Sequence, residues 1–177
     1  MIFNFSPFPI LETERLILRQ LNLNDTKAIF GLRTNKEVNQ FITRNTPKNL
    51  AEARAFIDMI SNLVANNNGI FWVIESKQNN LVLGTIGLRH FEVDENYAEV
   101  GYELHPDFQE RGFMSEALQE VLNFGFDKLN LKTIEAFTHK NNIASIALLE
   151  KHSFVFQPER REEEFENNRI FKLEIKN

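Results

Sequence analysis

Apolar and polar residues alternate without a break along Tyr97–Leu104, and this is the clearest structural pattern in the chain. One face takes Ala98, Val100, Tyr102 and Leu104, and the other takes Glu99, Gly101 and Glu103. Because successive side chains of a strand point to opposite faces, this segment is predicted to be a strand with one buried face. A helical period follows at 115–129, where apolar residues recur every three or four positions.

Shorter apolar runs between turn-forming residues predict the remaining elements. Further strands are expected at 14–21, 70–75, 81–91, 132–138, 154–157 and 169–175. Helices are expected from Asn24 or Asp25 to about Thr34, from a cap at Thr46 to the turn at 66–69, and over 144–151. Three consecutive strands followed by alternating helices and strands predict a mixed sheet of the α/β or α+β class.

Composition narrows the class of protein. The 177 residues suit one domain spanning 1–177, and 42% hydrophobic with 25% charged residues is typical of a globular protein. The net charge of −5 argues against a protein that binds nucleic acid or an anionic membrane. There is no cysteine, and no histidine pair has the helical spacing of metal ligands, so no metal is expected. Neither a signal peptide nor a run of about 20 apolar residues is found, which favours a cytoplasmic protein.

The turn between the alternating strand and the long helix has the features of an anion-binding site. Gly112 lies just before the helix, whose first N–H groups lack partners within the helix and lie at the positive end of its dipole. A phosphate-bearing ligand would fit there. The sequence motifs of P-loop nucleotidases and of dinucleotide-binding folds are absent. A single glycine also occurs in ordinary tight turns, so the residues alone leave both interpretations open.

Three motifs, in order along the chain, resemble those of one family. The opening reads Leu-Glu-Thr-Glu-Arg-Leu at 11–16, and the loop reads Gln-x-x-Gly-x-Met at 109–114. The third motif begins with Asn-Ile-Ala-Ser at 142–145 and continues as Leu-Leu-Glu-Lys-His-Ser-Phe at 148–154. Together they resemble the GNAT superfamily of N-acetyltransferases. The opening resembles the branch that contains the ribosomal-protein N-terminal (alanine or serine) acetyltransferases.

This resemblance implies a fold, a reaction and a co-substrate. The expected fold is a mixed, mostly antiparallel central sheet of about seven strands with splayed central strands, flanked by about four helices. The expected reaction is acetyl transfer from acetyl-CoA to a primary amine by direct attack on the thioester, in a monomer or homodimer. The acceptor would be a protein N-terminus, such as that of a ribosomal protein, or a small-molecule amine. Leu149 stands where many relatives have a tyrosine, which leaves a non-catalytic acyl-CoA-binding regulatory module as the alternative.

The resemblance also assigns residues to the binding of acetyl-CoA. The loop would bind the pyrophosphate, mainly through its backbone, with Gln109, Glu110, Arg111, Gly112, Phe113, Met114 and Ser115. The strand would pair its backbone with the pantetheine arm, through Tyr102, Glu103 and Leu104. Asn142 would bond the arm from the other side, although it would serve equally as a helix cap. Met114 replaces a small residue of the family, so its side chain is expected to point into the core.

Two kinds of catalytic residue are expected from the same resemblance and from the chemistry of the reaction. Ser145 would hydrogen-bond the departing sulfur in place of the missing tyrosine. Glu99 or Glu103 would receive the proton of the attacking amine. Simpler interpretations stay open, namely a serine that bonds locally in a helix and two solvated glutamates on a strand. Ser153 replaces a glycine that is usual in the family, which predicts a mildly strained positive φ.

Overall fold

The computed structural model describes residues 3–92 and 94–175. Within them the chain forms one sheet of eight strands. The strands are β1 (Leu11–Glu12), β2 (Leu16–Gln20), β3 (Gly69–Ser76), β4 (Val82–Glu92), β5 (Tyr97–Leu104), β6 (Thr133–His139), β7 (Val155–Phe156) and β8 (Asn168–Glu174). The helices are α1 (Thr26–Thr34), α2 (Leu50–Ala65), α3 (Phe113–Asn123) and α4 (Ile143–Lys151). The expected mixed, mostly antiparallel sheet with about four helices is confirmed.

The strand order across the sheet is β1-β2-β3-β4-β5-β6-β8-β7. All neighbours are antiparallel except β5 and β6, which run parallel and are connected through α3. β5 has its predicted bounds, and its apolar face is buried against the core at Ala98, Val100 and Leu104. We call this the inner face of the sheet. Its core includes the fully buried Trp72, whose ring packs edge-on against Phe124 after α3.

The parallel pair β5 and β6 separates soon after it begins. Pairing runs from Tyr97 opposite Thr133 to Glu99 opposite Glu135 and then stops. Beyond that point β6 continues beside β8, whereas β5 continues beside β4. A cleft therefore opens between the two central strands at 100–104, as the resemblance implied for the splayed strands.

Two helix boundaries differ from their predicted positions. α2 begins at Leu50, not near Pro47, because the side chain of Asn49 accepts a hydrogen bond from the N–H of Glu52 (3.0 Å) and caps the helix there. α3 begins at Phe113, two residues earlier than predicted, and it widens into a π turn at Phe124–Lys128. Its buried positions otherwise follow the predicted apolar stripe.

The ends of the chain add strands at both edges of the sheet. β1 was not predicted, since two residues carry no readable alternation. The predicted terminal hairpin is present, and β8 inserts between β6 and β7. Ser153, in the turn before β7, has the expected positive φ, at 65°. No helix within the described ranges is long and apolar enough to cross a membrane.

Candidate functional site

The loop before α3 holds its backbone in a conformation suited to an anion. Gly112 is the cap residue of the helix, with φ 78° and ψ 1°, and Glu110 also has a positive φ of 58°. No side chain of the described residues caps the helix there. The N–H groups of the first turn are therefore left for a ligand, at the positive end of the helix dipole. Alternation of right- and left-handed residues makes such a loop concave toward an anion.

Other loop residues fix the position of this backbone. The side-chain amide of Gln109 donates to the carbonyl oxygen of Leu104 (3.0 Å), which ties the loop to the end of β5. Met114 is 8% exposed and packs in the core, as expected for a long side chain that must avoid a phosphate. Arg111 is exposed, and its guanidinium lies 5.4 Å from the centre of the Phe113 ring. The loop is thus anchored at both ends, and its exposed surface carries a cation.

A second arginine, which sequence reasoning missed, also lies at this loop. Arg15 donates to the carbonyl oxygen of Arg111 (3.0 Å) and covers the Phe113 ring at 4.4 Å. A β-carbon built on Gly112 would lie 3.4 Å from its Nη2 atom. Two arginines, Arg111 of the loop and Arg15 from near the start of the chain, therefore flank a backbone whose conformation suits an anion.

Glu116 holds Arg15 in this position. Its carboxylate accepts hydrogen bonds from the backbone N–H (2.8 Å) and Nε (2.6 Å) of Arg15 and from the Thr13 hydroxyl. Burial acts to raise the pKa of Glu116, but these hydrogen bonds and the charge of Arg15 outweigh it, so the pKa lies below its ordinary value. This carboxylate in the first turn of α3 thus holds Arg15 against the loop.

On the inner face, two hydroxyl groups meet beside the cleft. The Tyr102 hydroxyl lies 2.8 Å from Oγ of Ser145 in the first turn of α4. Burial raises the pKa of Tyr102 to about 12, so its hydroxyl stays protonated at neutral pH. Sequence reasoning gave Tyr102 a backbone role only. Leu149, at the position of the family's tyrosine, is fully buried and has no hydroxyl to offer.

The start of α4 is fixed by Asn142. Its side-chain oxygen accepts a hydrogen bond from the N–H of Ser145 (3.2 Å), so the capping role is present. At the other end of the helix, His152 bonds the Ser115 hydroxyl of α3 (2.9 Å). Burial, helped by the neighbouring Lys151, lowers the pKa of His152, which favours a neutral ring. The helices on the two sides of the cleft are thereby linked.

The opposite face of the sheet, which we call the acceptor face, carries the two candidate bases. Glu103 forms an ion pair with Arg44, and both side chains are largely buried. The Glu99 carboxylate lies 2.9 Å from Nδ1 of His90 and 3.6 Å from Nε of Arg89. Glu99 and Glu103 are four residues apart, about 13 Å along a strand. Neither is a solvated glutamate, and neither is free of a partner.

Between these two carboxylates the acceptor face is open. A β-carbon built on Gly101 would meet no atom within 4 Å. The space is bordered by the connector between α1 and α2, residues 35–49. Phe41 of the connector stacks on His139 at the end of β6, with ring centres 5.3 Å apart, and Arg44 reaches β5. The cleft can therefore be approached from the acceptor face beside Gly101.

An ion pair with a buried carboxylate closes the narrow end of the cleft. Glu135, 2% exposed, accepts hydrogen bonds from Arg160 (3.0 Å for Nη2) and from the Tyr97 hydroxyl (3.1 Å). It stands opposite Glu99, at the last paired position of β5 and β6. Within residues 3–92 and 94–175, no group of three or more His, Cys, Asp or Glu side chains could hold a metal ion.

The chain is similar to known proteins in sequence and in fold. A family model described as the acetyltransferase (GNAT) domain matches residues 15–155. YoaA, an uncharacterised N-acetyltransferase of Bacillus subtilis (strain 168), is 37% identical over 147 residues, 83% of each chain. The spermidine N(1)-acetyltransferase of Vibrio cholerae is 25% identical over 155 residues, 88% of this chain and 87% of that protein. The solved structure of RimL, a ribosomal alpha-N-protein acetyltransferase in complex with coenzyme A, superposes with a TM-score of 0.82 at 18% identity. The superposition covers 94% of this chain and 98% of RimL. At 18% identity it shows a shared fold and no more.

Proposed function

Because the chain belongs to the acetyltransferase (GNAT) family and is thus an acetyl-CoA-dependent N-acetyltransferase, we propose that it acetylates a primary amine that enters from the acceptor face beside Gly101. The observation that carries this proposal is the cleft between β5 and β6. It has an anion-binding helix terminus at one side and an opening to the acceptor face at the other. A donor and an acceptor can therefore meet inside the sheet. We also propose that residues 1–177 act as one domain, since one sheet joins both halves of the site.

The residues at the cleft fit two parts of acetyl-CoA, the charged pyrophosphate and the polar pantetheine arm. The N–H groups from Phe113 to Ser115, with Arg111 and Arg15, would hold the pyrophosphate. The unpaired edge of β5 at Tyr102, Glu103 and Leu104 would bind the amides of the pantetheine arm as an added strand does. Asn142 would donate its side-chain amide to the same arm, while its oxygen caps α4.

The transfer itself needs a proton acceptor for the amine and a donor for the sulfur. The amine nitrogen forms a bond to the thioester carbon, the carbon–sulfur bond breaks, and the amine loses a proton. We assign this proton to Glu99, directly or through water, because its partners His90 and Arg89 are exposed to solvent. Glu103, in contrast, is held by Arg44 in a buried pair. Ser145 donates a hydrogen bond to the departing sulfur, and Tyr102 holds the serine hydroxyl in place. The Tyr102–Ser145 pair thereby supplies the hydroxyl group that is missing at Leu149, where many relatives have a tyrosine.

Thiol release from acetyl-CoA, measured with a panel of peptides and small amines, tests this function. We expect turnover with at least one primary amine, and we expect acetyl-CoA to raise the melting temperature by mass action. Glu99→Gln is expected to lower kcat more than Glu103→Gln does. Binding of acetyl-CoA without turnover of any amine would instead favour the non-catalytic module that Leu149 first suggested. A melting temperature unaffected by CoA would contradict both.

A further inference from the structure

Three carboxylates on the acceptor face are each paired with an arginine of the protein. The pairs are Glu99 with Arg89 (3.6 Å), Glu103 with Arg44, and Glu135 with Arg160 (3.0 Å for Nη2). The carboxylates of Glu103 and Glu135 are also buried, with side chains 9% and 2% exposed. A polyamine needs free carboxylates to bind its second ammonium group, because a buried cation without a partner is costly. These three glutamates do not provide such a site.

A second arginine, Arg33, lies near the ion pair of Arg44 and Glu103. The guanidinium of Arg33 lies 3.8 Å from the centre of the Phe56 ring, close to Arg44. Burial and the neighbouring charge of Arg44 both lower the pKa of Arg33, although Glu103 partly offsets them. Two arginines thus lie near one carboxylate, Glu103, and this part of the face is suited to an additional anion.

Arg44 has an unused hydrogen-bonding nitrogen on this face. Its Nε donates to the side chain of Asn39 (2.7 Å) and its Nη1 to Glu103. Its Nη2 is buried and has no hydrogen-bond partner among the described residues, and it is the one such side-chain atom found there. A buried donor without a partner costs about 1–3 kcal/mol, so its presence calls for a specific explanation. A carboxylate is the group that a guanidinium binds best.

The position of Arg44 relates this nitrogen to the reacting amine. Its partner Glu103 lies two residues from Gly101, about 7 Å along β5. Nη2 is covered by neighbouring side chains, so a carboxylate reaches it once the coil at 42–49, which contains no helix or strand, shifts. An acceptor whose amine lies beside Gly101 could then place a carboxylate against Arg44.

We propose that the acceptor carries a carboxylate within about 7 Å of its amine, that Arg44 binds this carboxylate, and that polyamines are not substrates. This inference rests on the proposed function and names the substrate class of the same site. Two sources share this chemistry: a free acidic amino acid, and a peptide whose N-terminal residue is acidic.

Thiol release from acetyl-CoA with matched acceptors separates these sources and tests the proposal. The acceptors are glutamate with glutamine amide, aspartate with asparagine amide, peptides that begin with Glu or Gln, and spermidine; the two amides carry no carboxylate. We expect kcat/KM to be at least about tenfold higher for the acidic member of the preferred pair. Preference among the pairs shows whether the free amino acid or the peptide is the source.

Substitutions on the acceptor face then connect this preference to Arg44. In Arg44→Gln, KM for the acidic acceptor should rise about tenfold or more, while KM for its amide partner changes little. Arg44→Lys should restore part of the preference. Glu103→Gln should lower KM for the acidic acceptor, because it removes the competing carboxylate. Arg54→Gln, an exposed arginine of α2, is the matched control, and thermal unfolding checks that each variant folds.

Three different results would overturn the carboxylate proposal, the role of Arg44 and the proposed function, respectively. Faster turnover of amide acceptors or of spermidine by the unmodified protein would overturn the carboxylate proposal and leave the acetyltransferase function standing. An equal rise of KM for both members of a pair in Arg44→Gln would overturn the role of Arg44. No thiol release with any amine would overturn the proposed function itself.

Discussion

The hydroxyl oxygen of Tyr102 lies 2.8 Å from Oγ of Ser145, although 43 residues separate the two in the chain. The bond joins β5 to the first turn of α4 across the inner side of the cleft. A hydroxyl that is held by a second hydroxyl is oriented and polarised, and it is thus a better donor to a developing negative charge.

We therefore expect Tyr102→Phe and Ser145→Ala each to lower kcat by about tenfold or more, with little change in the Kd of CoA. The two effects should not add in the double variant, because both residues act through one hydrogen bond. The defect should shrink with an acetyl selenoester of CoA, since a selenolate leaves without needing a proton. A normal kcat in Ser145→Ala would leave Ser145 as a helix residue only.

The loop glycine supplies a second prediction. Gly112→Asp adds a β-carbon at φ 78° and a negative charge beside the expected pyrophosphate. The KM of acetyl-CoA should rise about tenfold or more. Gly31→Asp adds the same charge in α1, where a β-carbon meets no atom within 4 Å, and should leave this KM unchanged. An unchanged KM in Gly112→Asp would contradict the assignment of the loop.

Substitutions of Gly84 and Gly101 distinguish an effect on stability from an effect on acceptor binding. A β-carbon on Gly84 would lie 2.9 Å from Cα of Leu104, so Gly84→Ala forces β4 and β5 apart and should lower the melting temperature by about 4 °C or more. Gly101→Ala meets open space and should leave the melting temperature unchanged. Its methyl group should nevertheless lower kcat/KM for the acceptor by about tenfold. If Gly101→Ala retains full activity, the amine does not approach there.

The stability supplied by Glu116 should depend on pH. Its pKa is lowered in the folded protein, so its contribution is present above the ordinary value of 4.5 and is lost as the pH falls through the lowered value. Since Arg15 is partly exposed, we expect Glu116→Gln to cost about 1 kcal/mol at pH 7, or about 2–4 °C in melting temperature. The difference should vanish in acid. Glu120→Gln, one turn later in α3, is the control, and a difference that persists in acid would rule out this ionic origin.

Ser153 offers a stabilising substitution. At φ 65° a residue with a β-carbon is strained, and glycine is not. Ser153→Gly should raise the free energy of unfolding by about 1 kcal/mol and the melting temperature by about 2–4 °C. Asn130→Gly, at φ 51°, should gain less because asparagine tolerates this region. Equal or absent gains in the two variants would show that φ does not limit stability here.

Patterns within one element were readable from the sequence, whereas contacts between distant residues were not. β5 was predicted with its observed bounds because its alternation and its burial agree. The start of α2 was misplaced because Pro47 is as good a signal as Asn49, and only the Asn49 side-chain bond decides between them. The splayed strands were expected from the family resemblance, not from the residues.

The contacts that sequence reasoning missed share one property. Arg15 and Glu116 are 101 residues apart, and Arg44 and Glu103 are 59 residues apart. Without the fold, nothing in the local pattern distinguishes either arginine from a solvated one. The side chain of Tyr102 was missed for the same reason, since its partner Ser145 lies on another element.

The connector at 35–49 meets the two splayed strands through Phe41 on His139 and Arg44 on Glu103. The loop proposed to bind the acetyl donor and the Tyr102–Ser145 pair lie elsewhere, before α3 and between β5 and α4. If the proposed acceptor site is correct, one short, continuous stretch of chain contributes much of acceptor choice. Replacing residues 35–49 with the matching segment of a relative would then change the substrate. The loop before α3 and the Tyr102–Ser145 pair would stay unchanged.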